Sequence, residues 1–131
     1  MNIGLIAHNS KKVLLENFCI AYKGILKKHH LCATEVTGTR VEQASGLTVT
    51  KYLSGVMGGG KQLQSDIAQN NIDMVIYFHS VEFPGHEQEG SFQEIVNLCD
   101  LYNIPLATNI ATAESLILGL DRGDLEWRNL Y

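Results

Sequence analysis

Short apolar runs alternate with amphipathic segments along the whole chain, and this alternation constrains the fold more than any other feature. Asn2-Ile-Gly-Leu-Ile-Ala-His8 and Asp73-Met-Val-Ile-Tyr-Phe78 are near-continuous apolar runs of strand length, as strands covered on both faces should be. Between such runs the apolar spacing turns helical. Leu14, Phe18, Ala21, Tyr22 and Ile25 recur on one face, and Leu63 pairs with Ile67 on another. Strands alternating with helices imply right-handed crossovers, so the expected fold is three-layer α/β/α, a doubly wound parallel sheet.

Local punctuation predicts the boundaries. Ser10 stands where it would cap the first helix, and Lys27 and Lys28 lie in its last turn, where cations suit the dipole. Leu31 to Val36 reads as a second strand and Gly38 as a turn. Arg40 to Ala44 reads as the start of a short helix ended by Gly46, and Leu47 to Leu53 as a third strand. Gly58-Gly59-Gly60 opens a helix to about Asn70. His79 to Gly90, with Pro84 and Gly85, reads as an ordered loop, followed by a helix from Ser91 to Tyr102. Ile104 to Thr108 is a last strand, and Ala111 to Leu120 a closing helix with Gly123 just beyond it. No repeat or linker is visible, and 131 residues suit a single domain spanning 1–131.

Composition removes several classes of function. The chain is 45% hydrophobic and 18% charged, enough for a sizeable core. Fourteen acids against ten bases give a net charge of −4 with no basic stripe, so nucleic acid is not an expected partner. Every apolar run falls far short of the roughly 18 residues that cross a bilayer, so no membrane partner is expected either. The N-terminus enters a strand directly, without a charged leader or cleavage site, and cytoplasmic localisation is expected. Cys19, Cys32 and Cys99 are odd in number and widely spaced, which fits reduced thiols better than disulfides or a zinc site. No metal is expected.

In doubly wound sheets ligands sit beyond the carboxyl ends of the strands. That rule selects His8 and Asn9, Thr34 to Gly38, Ser54 to Gly60, His79 to Glu89, and Thr108-Asn109. Polar residues at strand ends are common without any ligand, so position alone assigns nothing. Gly55-Val-Met-Gly-Gly-Gly60-Lys61 matches the spacing of a nucleotide phosphate loop, but Gln62 stands where a hydroxyl should hold magnesium. The segment therefore reads as a Gly-rich turn whose amides point at an anion from a helix N-terminus.

The blocks Gly4-Leu-Ile-Ala-His8, Ala33-Thr34, Thr37-Gly38, Leu53-Ser54-Gly55-Val-Met-Gly58-Gly59 and Asn103-Ile-Pro-Leu-Ala-Thr-Asn-Ile-Ala-Thr112 resemble the methylglyoxal synthase family, as does Asp121-Arg-Gly-Asp-Leu125. The resemblance covers nearly the whole chain. It implies a homohexamer and a site for dihydroxyacetone phosphate, which such enzymes convert to an enediolate before eliminating phosphate to give methylglyoxal. It implies no cofactor. By the same resemblance His8 is a donor to substrate oxygens and Lys12 pairs with phosphate. Thr34 and Thr37 belong to a phosphate loop and Ser54-Gly55 to its second wall. His86 polarises the carbonyl, although the loop before it is one residue shorter than the family's. Glu89 keeps an acid position in kind. Each has a plainer reading beside it: His8 as a satisfied strand-end histidine, Lys12 as part of a solvated helix face, Glu89 as a helix-start acid.

The departures concern the acids and the cradle. The family pattern ends Ser-Gly-x-x-Gly-Gly-Asp, and that Asp is the catalytic base; here the position is Gly60. Two further acid positions are Asn9 and Ser80. Losing one positioned base should cost about 10²–10⁴ in rate. The family's Thr-Gly-Thr-Thr reads Thr34-Glu35-Val36-Thr37. Turned inward, Glu35 would repel a phosphate by roughly 3 kcal/mol per unit charge at ~5 Å and an effective dielectric of ~20. Val36 removes a hydroxyl and would be strained if the backbone there had positive φ. The expected function is thus binding of a small phosphorylated or anionic ligand, with weak or no synthase activity. The alternative is an active synthase whose base has moved to Glu89, His86 or Glu35. Trp127 and Tyr131 are candidates for a subunit contact.

Overall fold

Among the described residues five short strands form an all-parallel sheet in the order β3-β2-β1-β4-β5: Asn2–Ala7 (β1), His30–Ala33 (β2), Val49–Lys51 (β3), Met74–Phe78 (β4) and Leu106–Ala107 (β5). The computed structural model describes residues 1–53, 58–81 and 92–130. β1 takes the centre because its side chains are apolar on both faces, and Gly4 is flanked by Cys32 and Val75. Among the described residues five helices lie between the strands, Lys12–Ala21 (α1), Lys23–Leu26 (α2), Glu35–Ser45 (α3), Gly59–Ala68 (α4) and Phe92–Leu101 (α5), and a sixth, Ile110–Arg122 (α6), follows β5.

Side-chain alternation along the strands builds two cores. Ile3, Leu5, Ala7, Leu31, Met74, Ile76 and Phe78 face one way and pack with Leu15 and Phe18 of α1, Leu26 of α2, Val41 of α3 and Ile117 of α6. Ile6, Cys32, Val75 and Tyr77 face the other way, onto Leu63 and Ile67 of α4 and Ile95 and Cys99 of α5. Burying each such aliphatic side chain contributes roughly 1.5–3 kcal/mol. The three-layer α/β/α, doubly wound parallel architecture expected from the alternation is the one observed. The order of strands reverses beside β1, which leaves a crevice at the carboxyl ends of β1 and β4. No described helix is long and apolar enough to cross a membrane.

Several local expectations are corrected. Ser10 caps no helix: Asn9–Lys11 form a single 3-10 turn, and α1 starts at Lys12. The helix expected to run on to Lys28 breaks at Tyr22 into α1 and α2, and α2 ends at Leu26. The second strand stops at Ala33 rather than Val36, and α3 begins at Glu35, so Gly38 lies inside a helix and marks no turn. Close packing explains that glycine, since a Cβ there would come within 2.9 Å of Lys51 Cγ on β3. Val36 is helical, and the described non-glycine residues with positive φ are Asn70 and Asn103, so the strain anticipated at Val36 is absent. The third strand covers only Val49–Lys51 and the last only Leu106–Ala107. Gly46 and Gly123 end α3 and α6 with φ of 79° and 87°, as their positions required.

Candidate functional site

His8 follows β1 directly and its ring is buried between the ends of β1 and β4. Its backbone N–H continues the sheet by donating to the Phe78 carbonyl at 3.0 Å. The ring is gripped on both nitrogens: the Ser80 backbone N–H donates to Nδ1 at 2.7 Å, and Nε2 lies 3.1 Å from Tyr77 Oη. His79 stands edge-on to His8 at 6.2 Å and stacks on Phe92 with centroids 3.9 Å apart.

Lys12 begins α1, one helical turn past His8, and is buried although charged (4% exposed). Its Nζ donates to the Ala7 carbonyl and to Thr37 Oγ1, each at 2.8 Å. Charged hydrogen bonds of this kind hold an ammonium where a bare one would be costly. They also tie β1 and α1 to the first turn of α3.

Thr34 stands at the N-cap of α3 in an extended conformation, without capping the helix through its side chain. Its hydroxyl is buried and has no hydrogen-bond partner among the described residues. The first amides of any helix lack intrahelical acceptors, so this end of α3 is an anion-favouring place. A second helix start lies against it. A Cβ built on Gly59 would fall 1.8 Å from the Leu53 carbonyl oxygen and 3.0 Å from Thr34 Cγ2. Only glycine lets the segment leaving β3 cross α4 so closely. Gly58, at φ 96°, turns the chain into α4, and Gly60 is buried in its first turn.

Side chains around this crossing hold the segment in place. Leu53 N–H donates to Gln62 Oε1 at 2.8 Å, so the residue that breaks the nucleotide-loop pattern has a structural task. Lys61 is exposed and pairs with Glu94 of α5 at 3.4 Å. Tyr52 Oη donates to Asp66 Oδ2, and burial first, then that bond, pushes the phenol pKa up.

The structure thus gathers His8, Lys12, Thr34, Thr37 and Gly60 at the carboxyl edge of the sheet. Glu35 is exposed on the first turn of α3, where its charge suits the dipole, and Val36 beside it is 52% exposed. Asn9 is exposed and Ser80 buried. Ser54, Gly55, His86 and Glu89 lie outside the described residues, as does Tyr131. Trp127 is 44% exposed at the opposite edge of the sheet, beside Arg128. Among the described residues no group of three or more His, Cys, Asp or Glu is arranged to hold a metal ion. The sequence reading missed Tyr77. Its signal was a phenol set in an aliphatic strand two residues before a polar strand end, where a buried hydroxyl demands a partner.

Fold and crevice together define a doubly wound α/β protein with its polar side chains collected where the strand order reverses. The chain belongs to the MGS-like domain family, whose model matches residues 15–108. It is 52% identical over 130 residues to the methylglyoxal synthase of Caldicellulosiruptor saccharolyticus, covering 99% of this chain and 92% of that protein. It is 47% identical over 130 residues to the methylglyoxal synthase of Listeria welshimeri, covering 99% and 96%. Among solved structures, methylglyoxal synthase from Elizabethkingia anophelis superimposes with a TM-score of 0.83 at 36% identity, over 88% of this chain and 76% of that one.

Proposed function

We propose that the chain binds a small phosphorylated ligand of the dihydroxyacetone phosphate kind in the crevice and has weak or no methylglyoxal synthase activity. The observation that carries the binding half is the buried Thr34 hydroxyl without a described partner, at the open start of α3. One turn further on lies the buried Lys12–Thr37 pair. A phosphate there would accept from the helix amides and the hydroxyl, close to a fixed positive charge. His8 would donate to the ligand's oxygens. Ser54 and Gly55 complete the second wall by the family resemblance, with His86 at the carbonyl. Glu35 is exposed, so water screens the repulsion its carboxylate would exert on a phosphate.

The chemical half rests on Gly60. Proton abstraction from a carbon acid needs a base within hydrogen-bond reach, and a glycine supplies none. In the alternative reading, an active synthase, the base has moved to Glu89, His86 or Glu35. A homo-oligomer, a hexamer by family resemblance, belongs to the same reading, and sedimentation measures it directly.

Calorimetry with inorganic phosphate and with dihydroxyacetone phosphate, alongside a methylglyoxal assay, tests both halves. Heat from either ligand is expected. Turnover should fall at least ~10²-fold below that of the Listeria welshimeri protein assayed in parallel, and Gly60→Asp should raise it. Equal turnover by the unaltered chain would overturn the degenerate reading.

A further inference from the structure

Tyr77 is fully buried on the β4 face that packs against α4 and α5, with Phe92 edge-on at 5.1 Å and His8 edge-on at 5.4 Å. Its hydroxyl lies 3.1 Å from His8 Nε2. Across the same imidazole the Ser80 amide reaches Nδ1 at 2.7 Å. A backbone amide can only donate, so Nδ1 carries the lone pair and the neutral ring carries its proton on Nε2. The Nε2–H then donates to the Tyr77 oxygen. Ring reversal would point carbon at the buried Ser80 N–H, so the two contacts select one ring orientation as well as one tautomer.

We propose that Tyr77 is a positioning residue for His8: with the Ser80 amide, it locks the ring as the neutral Nε2–H tautomer. His8 therefore has one N–H, on Nε2, which a ligand in the crevice would share with Tyr77, and it is not a proton acceptor. The inference deepens, and in its ligand arm rests on, the reading of the crevice as a phosphorylated-ligand site. It has a direct chemical consequence. With glycine at position 60, His8 is an obvious substitute base, and this geometry withdraws it. The Nδ1 lone pair faces an amide that cannot leave, and Nε2 has no in-plane lone pair to offer. Protonating Nδ1 would set two donors against each other.

Nitrogen-15 NMR of the histidine rings in the unaltered, ligand-free protein is the first test. His8 should show an unprotonated Nδ1 and a protonated Nε2; the reverse pattern would overturn the proposal without any variant being made. Tyr77→Phe removes the hydroxyl that accepts from His8. It should speed solvent exchange of the His8 Nε2 proton, leave His30 unchanged, and weaken inorganic phosphate binding about fivefold, because the ring must be ordered on binding. Unchanged exchange and affinity would mean that Tyr77 is a packing residue. Tighter phosphate binding would mean that it withholds the N–H, and either result sinks the proposal. If the unaltered protein binds no phosphate, the ligand reading fails, while the tautomer is still decided by its own spectrum.

Discussion

Lys12 Nζ donates to Thr37 Oγ1 at 2.8 Å inside the protein, joining the start of α1 to the first turn of α3 across 25 residues of sequence. Thr37→Val keeps the shape and deletes the acceptor. Loss of a hydrogen bond to a charged group should cost about 1.5–3 kcal/mol, read as a lower urea midpoint with unchanged slope. Thr37→Ser restores the acceptor and should recover most of the loss. A neutral result for Thr37→Val would show that Lys12 finds an equivalent acceptor elsewhere.

Glycine has opposite meanings at two helical positions. A Cβ on Gly59 would overlap the Leu53 carbonyl at 1.8 Å, whereas one on Gly24 of α2 would meet nothing within 4 Å. Gly59→Ala must displace backbone where the segment leaving β3 crosses α4, so it should destabilise by more than ~2 kcal/mol. Gly24→Ala should stabilise by roughly 0.5–1 kcal/mol through helix propensity. Thermal melts of the two variants should therefore move in opposite directions.

The sequence carried the layers and the parallel sheet because strands such as Met74–Phe78 are apolar on both faces and helices such as α4 keep a clean inward stripe. It misplaced the second half-unit because Thr34 to Gly38 holds residues with poor helix propensity, and tertiary packing against β3 overrides that preference. Of the candidate site, strand ends and family blocks pointed to His8, Lys12, Thr34 and Thr37. What they could not convey was partnership: that Lys12 is buried on Thr37, that Ser80 acts through its amide, or that Tyr77 reaches His8. The two His8 contacts depend on strand register between segments about 70 residues apart, and the Lys12–Thr37 contact on packing between helices 25 residues apart, which no local pattern encodes.

The three thiols give a pH prediction. Burial pushes the pKa values of Cys19 and Cys99 up to about 12 and that of Cys32 up to about 11, from 9.0. Each thiol stays protonated in the fold while the unfolded chain ionises. This contribution to stability is fully present below pH 9.0 and is lost as pH rises towards 11 and 12. Native protein at mildly alkaline pH should react negligibly with a thiol reagent until denaturant is added. Rapid native labelling would show that one thiol is accessible.

Arg128 shows how the amino edge of the sheet is closed. Its guanidinium, 4% exposed, donates to the Asn103 carbonyl at 2.7 Å, to Asn70 Oδ1 at 2.9 Å, to the Ile72 carbonyl at 3.2 Å and to Asp73 Oδ1 at 3.4 Å. Asp73 Oδ2 in turn accepts from the Asn2 N–H at 2.8 Å. The C-terminal turn Glu126–Leu130 is thereby fastened to the residues that lead into β1, β4 and β5. Asn70 and Asn103 hold left-handed conformations, at φ 58° and 55°, so both acceptors sit on turns that the arginine helps to fix. Arg128→Met removes the charge and leaves the buried Ile72 carbonyl and the partly buried Asp73 carboxylate without their donor, which should cost about 1.5–3 kcal/mol. Arg128→Lys keeps the charge, but a single ammonium cannot span four acceptors set out for a planar fork, so it should recover less than half. Urea denaturation of both variants measures this, and a loss below ~1 kcal/mol in Arg128→Met would show that the tail is only loosely attached.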